Sequence, residues 1–187
     1  MLTTFCQSHK TLVQAQHQDY PLGTLIDIVV NPSNGVFEVF WIHTPEGKKL
    51  LLPKDIIFWN QEKITISDAN DLTEPEALPR MNKIFEQECP LLKNNVWDKS
   101  TQTNYGQVSD FMFDTLSPRL LGLEVKQGFL GLHTLRIPQH HIVHIQADRI
   151  TIDQSLMKHE GNKPLERREK ITPLKVPELE RSSSRKQ

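Results

Sequence analysis

Two stretches decide the fold. Residues 22–42 read LGTLIDIVVNPSNGVFEVFWI, and residues 105–125 read YGQVSDFMFDTLSPRLLGLEV. Each places Gly one residue after an apolar start (Gly23, Gly106) and Asp four residues after that Gly (Asp27, Asp110). Each then runs through apolar positions into a turn cluster. The clusters are Asn31-Pro32-Ser33-Asn34-Gly35 and Asp114-Thr115-Leu116-Ser117-Pro118. The correspondence continues downstream. Leu50-Leu51-Leu52-Pro53 aligns with Thr134-Leu135-Arg136-Ile137-Pro138 when keyed on the prolines, and Ile64-Thr65-Ile66 aligns with Ile150-Thr151-Ile152. The spacing drifts by about three residues, which two small loop insertions would absorb. A tandem repeat is the expectation.

Each unit reads as short strands separated by close turn signals, the pattern of a small sandwich or barrel. Residues 25–30 interleave with little polarity, so this strand is expected to be covered on both faces. Asn34-Gly35 is a hairpin signal, because both residues tolerate positive φ. Phe37, Val39 and Trp41 alternate with Glu38, Phe40 and Ile42. A second turn at residues 45–48, a strand at 50–52, a tight turn from Pro53, a strand at 56–59 and a hairpin to Ile66 complete the unit. In the second unit the strands fall at 108–113, 120–125, 134–137, 142–145 and 149–152. So many strands in so short a unit are too few for a large sandwich, whereas a small barrel removes exposed edges.

The order apolar-Gly-x-apolar-x-Asp, turn, alternating strand, apolar-Pro, then Lys/Arg-Ile-Thr-Ile resembles the PRC-barrel family. YGQVSDFMFDT with ADRITID carries the resemblance in the second unit, and LGTLIDIVVNP with QEKITI in the first. The family is the small β-barrel of the photosynthetic reaction centre H subunit and of the C-terminal domain of the ribosome maturation factor. The resemblance implies a mainly β chain of two small PRC-type barrels joined by a short helix, with a flexible C-terminal tail. The expected organisation is repeat 1 at 8–68, a helical connector at 69–92, repeat 2 at 93–154 and a polar, disordered tail at 155–187. Its motif positions are strand, turn and core residues and imply no catalysis.

Composition bounds the function. The 187 residues are 37% hydrophobic, and 22 Lys and Arg against 23 Asp and Glu leave a formal charge of −1. That balance argues against a strongly basic nucleic-acid binder or a polybasic membrane-surface protein. No window approaches 18 continuous apolar residues, and the start MLTTFCQSHK carries no secretory pattern. A cytoplasmic protein without a transmembrane segment is expected.

In the connector, Thr73 and Glu76 form a T-x-x-E capping box. Ala77, Leu78, Met81, Ile84 and Phe85 would share one helix face, which is expected to pack on a barrel. Pro79 either sits in the first turns or starts the helix. The tail holds nine basic and five acidic residues. Arg167 and Arg168 are its candidate contacts with a partner.

Chemistry-bearing residues are sparse. His140, His141 and His144 follow Pro138, but their stretch reads as turn and then strand, with no Cys or carboxylate to complete a metal set. They are read as surface or turn histidines. Cys6 and Cys89 stand in no cysteine-hydrolase motif. No phosphate loop, nucleophile elbow or paired-carboxylate motif occurs. Asp27, Asp110 and Asp114 are assigned to turns and strand rims. No catalytic residue, cofactor or metal is expected, and the chain is not read as an enzyme. The binding candidates are the aromatic and apolar positions Trp41, Phe58, Trp59, Phe129 and Leu130. Trp97 is a further aromatic without an assigned core. Phe58 and Trp59 are consecutive on a strand and so face opposite sides. Three functional readings follow. The first is a scaffolding module that binds a protein of unknown identity or a second copy of the chain. The second is a ribosome- or RNA-associated assembly factor, and the third a peripheral membrane-complex assembly protein.

Overall fold

The structure is a computed structural model describing residues 1–81, 85, 90–128, 133–153 and 155. The chain opens with β1 (Leu2–Thr4), α1 (Phe5–Ser8) and β2 (Leu12–Ala15). There follow β3 (Gly23–Val30), β4 (Phe37–Thr44), β5 (Gly47–Leu51), β6 (Ile56–Trp59), β7 (Lys63–Ile66) and β8 (Leu72–Thr73). The second half contributes β9 (Asn95–Asp98), β10 (Asn104–Asp114), β11 (Leu120–Gln127), β12 (His133–Pro138), β13 (Ile142–Ile145) and β14 (Arg149–Ile152). The protein is mainly β. No helix among the described residues is long and apolar enough to cross a membrane.

The strands form two seven-stranded sheets. The first has the order β6-β7-β2-β3-β4-β5-β8; the second has β13-β14-β9-β10-β11-β12, with β1 added to β10. The shared part of the order is the same in both. In each, a parallel pair (β2 with β7, β9 with β14) joins an antiparallel hairpin to a three-stranded meander. Among the described residues neither sheet closes on itself, so the expected barrels are open sheets here.

The recurring Gly and Asp have a common physical cause. A Cβ on Gly23 would lie 2.4 Å from the His43 carbonyl oxygen, and one on Gly106 would lie 2.0 Å from that of Lys126. Both glycines let the neighbouring strand approach closely. Asp27 and Asp110 follow register shifts, between Leu25 and Asp27 in one sheet and Val108 and Asp110 in the other. The Asp27 carboxylate accepts the Ile28 N–H at 2.8 Å and that of Asp110 accepts the Phe111 N–H at 2.8 Å. A short acidic side chain satisfies an amide that the bulge takes out of the ladder.

Where the sheets differ, the cause is local. Thr44 pairs Gly47 across a tight turn, whereas Gln127 pairs His133 across residues 128–132. One longer hairpin connection therefore absorbs the whole drift, in place of two insertions. Pro53 opens a 3₁₀ turn (Pro53–Asp55), and Pro138 precedes its counterpart (Gln139–His141). The proline-keyed alignment is thus one residue out.

The two sheets share one apolar core. Phe37, Phe40 and Trp59 from the first sheet and Phe111 and Phe113 from the second belong to the same buried cluster. Phe37 lies 5.2 Å from Phe113 and 6.3 Å from Phe111, ring centre to ring centre. Trp59 touches Phe40 at 5.3 Å and Phe113 at 5.4 Å. The backbones also meet. Phe37 donates its N–H to the Pro118 carbonyl at 3.0 Å, and Leu120 donates to the Gly35 carbonyl at 2.8 Å. Val36 and Arg119 bridge antiparallel between these bonds. Val30 pairs with Phe37 in one sheet and Phe113 with Leu120 in the other. The contact therefore joins residues that hold the same place in the two strand orders.

Over its described residues up to Met81 the connector departs from expectation, while residues 82–84 and 86–89 lie outside the described residues. The capping box is at Asp68 and Asp71, around a 3₁₀ turn (Ala69–Asp71), rather than at Thr73 and Glu76. Thr73 ends the short strand β8 instead. Two further 3₁₀ turns, Pro75–Ala77 and Pro79–Met81, follow. Prolines at 75 and 79 remove the amides that a continuous α-helix would use. Ile84 lies outside the described residues. Leu78, Met81 and Phe85 do pack as expected, against Val39, Leu50 and Trp41 of the first sheet.

Candidate functional site

The N-terminal segment positions the site. Thr4 caps α1, its hydroxyl accepting the Gln7 N–H at 3.4 Å. The helix packs on the second sheet: Phe5 stacks on Phe111 at 5.0 Å, and the Cys6 N–H donates to the Asp110 carboxylate at 3.0 Å. Lys10 then turns at φ 71°, and the matching residue before β9, Lys93, turns at φ 63°. Lys10 N–H bonds the Leu25 carbonyl and Lys93 N–H the Val108 carbonyl, both at 2.8 Å.

Between these entries lies a groove of about 760 Å³. Ile26, Asp27, Ile28 and Val29 of β3 form one wall. Phe5, Phe111 and Leu91 belong to the lining, with Trp41 and Phe85 beyond Val29. The rings of Trp41 and Phe85 are 5.4 Å apart. The lining side chains are apolar or aromatic except for His9 and Asp27.

Burial against this groove pushes the Asp27 carboxyl above the ordinary carboxylate range, although much of the side chain remains exposed. The Ile28 N–H, and then His9 and Lys48, offset the shift. A carboxyl raised in the folded state favours folding most when protonated. Its contribution is present below the unfolded Asp pKa and is lost as pH rises through the folded value. Asp27→Asn keeps an acceptor for Ile28 and removes the charge. We expect this variant to melt higher than the wild type at pH 7, with the gap closing as pH falls through the carboxylate range. Melting curves across pH check this; a gap that widens on acidification contradicts it.

The other candidates scatter. Trp41 is half-buried in the groove, and Trp59 is buried between the halves, so it presents nothing to a partner. Phe58 is 53% exposed and its neighbour Ile57 51%. They lie on β6, the end strand of the first sheet. Phe58 and Trp59 thus face opposite sides, as their adjacency requires. Trp97 is half-buried on β9. Phe129, Leu130, Arg167, Arg168 and Cys89 lie outside the described residues. Leu116, at 83% exposure in the turn after β10, carried no periodic signal and escaped the sequence reading. So did Phe5, His9 and Leu91, which line the groove only because the segments before β2 and β9 fold back. Thr4 three residues before Gln7 was the one local sign of a capped helix there.

The histidines do not converge. His140 and His144 are exposed, while His141 is buried at the end of its 3₁₀ turn, with its ring 4.1 Å from that of His140. Burial of His141 departs from a surface reading: the turn directs it inward. No group of three or more His, Cys, Asp or Glu side chains among the described residues could hold a metal ion. The Cys6 thiol is raised, first by burial and then by the Asp110 carboxylate, which disfavours the nucleophilic thiolate. Asp114 accepts the Leu116 N–H at 3.0 Å, a turn role.

No curated protein matches the chain. Residues 91–156 match the PRC-barrel domain family, over the span that carries β9 to β14. The chain thus carries a PRC-barrel domain at residues 91–156.

Proposed function

We propose that the chain is a non-catalytic protein-binding and scaffolding module built from two PRC-barrel-type repeats, of which residues 91–156 are the second. The equal strand order of the sheets, the matching Gly and Asp positions and the reciprocal contact at Val36 and Arg119 support the duplication. The observation that carries the binding role is the exposed apolar pair Ile57 and Phe58 on the end strand β6. An uncovered apolar strand edge is a template for association unless a partner covers it.

The test is affinity purification of the tagged full chain from its native cell, with and without RNase, read by mass spectrometry. The expected result is a protein partner that survives RNase and is lost in an Ile57→Lys, Phe58→Lys variant. That variant should keep its melting temperature, because exposed substitutions change stability by only about 0.5 kcal/mol. Partners that vanish with RNase would favour the RNA-associated reading. Co-fractionation with membranes would favour the membrane-complex reading.

A further inference from the structure

Strand β6 ends the first sheet as β13 ends the second. Each carries a register shift against its neighbour, between Ile56 and Phe58 in one and between Ile142 and His144 in the other. The bulge in β6 turns two consecutive residues outward, so that Ile57 is 51% and Phe58 53% exposed. The charges around them are ordered. Lys54 lies four residues before Phe58 and Glu62 four after it, and both are exposed. Neither makes an ion pair among the described residues. Lys63, the next cation, donates its ammonium to Gln14 at 3.0 Å. At β13 the same places hold His140, His144 and Asp148. There the centre is polar, and Asp148 already pairs with Arg149 at 3.2 Å.

We propose that β6 is the contact through which two copies of this chain form a two-fold dimer, with Phe58 at the axis. The proposal rests on the protein-binding reading above and names the partner. An antiparallel approach about Phe58 sets opposite one another residues equally far from it. Lys54 then meets Glu62 of the second copy, and Glu62 meets Lys54 of the second copy. Asp55 meets Gln61 and Pro53 meets Lys63, so no like charges are opposed. A parallel approach would set Lys54 against Lys54 and Glu62 against Glu62, which is repulsive. The segment is thus complementary to itself in one orientation, as a two-fold contact requires of a single surface. Ile57 and Phe58 supply its apolar centre, and the two charge pairs its rim. The bulge keeps β6 from growing into a continuous ladder, so the contact closes at two copies.

The test is sedimentation equilibrium of the purified, untagged full chain. The mass is expected to rise from that of one chain towards two between roughly 1 µM and 1 mM, the range of a small, transient interface. Lys54→Glu or Glu62→Lys alone should raise Kd about tenfold, since each reverses two contacts of the dimer. The two together should restore Kd to within about twofold, because the pairs re-form with their signs exchanged. Phe58→Lys should leave a single chain at every concentration, because it sets two cations at the axis. All these positions are exposed, so the variants should keep the melting temperature of the wild type. A single-chain mass throughout, growth beyond two chains, or no rescue by the double exchange would overturn the dimer. If the chain stays single while affinity purification recovers another protein that the Ile57→Lys, Phe58→Lys variant loses, the dimer alone is overturned and the binding-module reading stands. Neither a dimer nor a partner would remove both.

Discussion

Gly106→Ala is expected to cost roughly 3 kcal/mol or more of folding stability. Two effects act at one position. Gly106 adopts φ 117°, a region that L side chains rarely enter, and its Cβ would lie 2.0 Å from the Lys126 carbonyl oxygen and 2.9 Å from its carbon. Both obstacles are backbone atoms of β11, so no side chain can yield. Relief requires the central pairing of the second sheet to open. Gly23→Ala separates the effects, because it meets the His43 oxygen at 2.4 Å without a positive φ. Gly47→Ala isolates the other: φ is 137°, with nothing within 4 Å of the added atom. Urea midpoints should therefore fall most for Gly106→Ala. Gly47→Ala should lose only about 1–3 kcal/mol of strain. Equal midpoints for Gly47→Ala and Gly106→Ala would show that close approach contributes nothing.

Phe37→Ala is expected to remove about 3–5 kcal/mol, a large part of the stability typical of a small domain. Phe37 is 2% exposed and contacts the rings of Phe40, Phe111 and Phe113. Two of these belong to the opposite sheet, so the cavity opens where the halves meet. Hydrogen exchange should accelerate together in β3 and β10, and thermal unfolding should stay a single transition. Faster exchange in the first sheet alone would mean that the halves are stabilised separately.

Much of the fold was legible in the sequence for local reasons. β13 and β14 fall at the residues expected, because Arg-Ile-Thr-Ile alternates, Ile142-Val143-His144-Ile145 is rich in β-branched residues and turns flank both. Gly23 with Gly106 and Asp27 with Asp110 recur because a close strand approach and a bulge each admit few residue types. The candidate site was mostly not legible. Of the aromatics singled out, Trp41 lines the groove and Phe58 stands exposed, but Trp59 is core. Its role depends on Phe113, which belongs to the other sheet.

The sequence by itself determined the strands β3 to β7 and β10 to β14 to within a few residues, the near-neutral charge and the resemblance that the family match bears out over residues 91–156. These follow from periodicity and from residues tied to a local backbone shape. Only the tertiary structure decided that β1 joins the second sheet, that both sheets share one core, and that a groove opens beside Asp27. Leu2–Thr4 is too short to carry a period of its own. It is a strand because its amides meet those of β10, more than a hundred residues away, and long-range pairing of that kind leaves no mark in a local pattern.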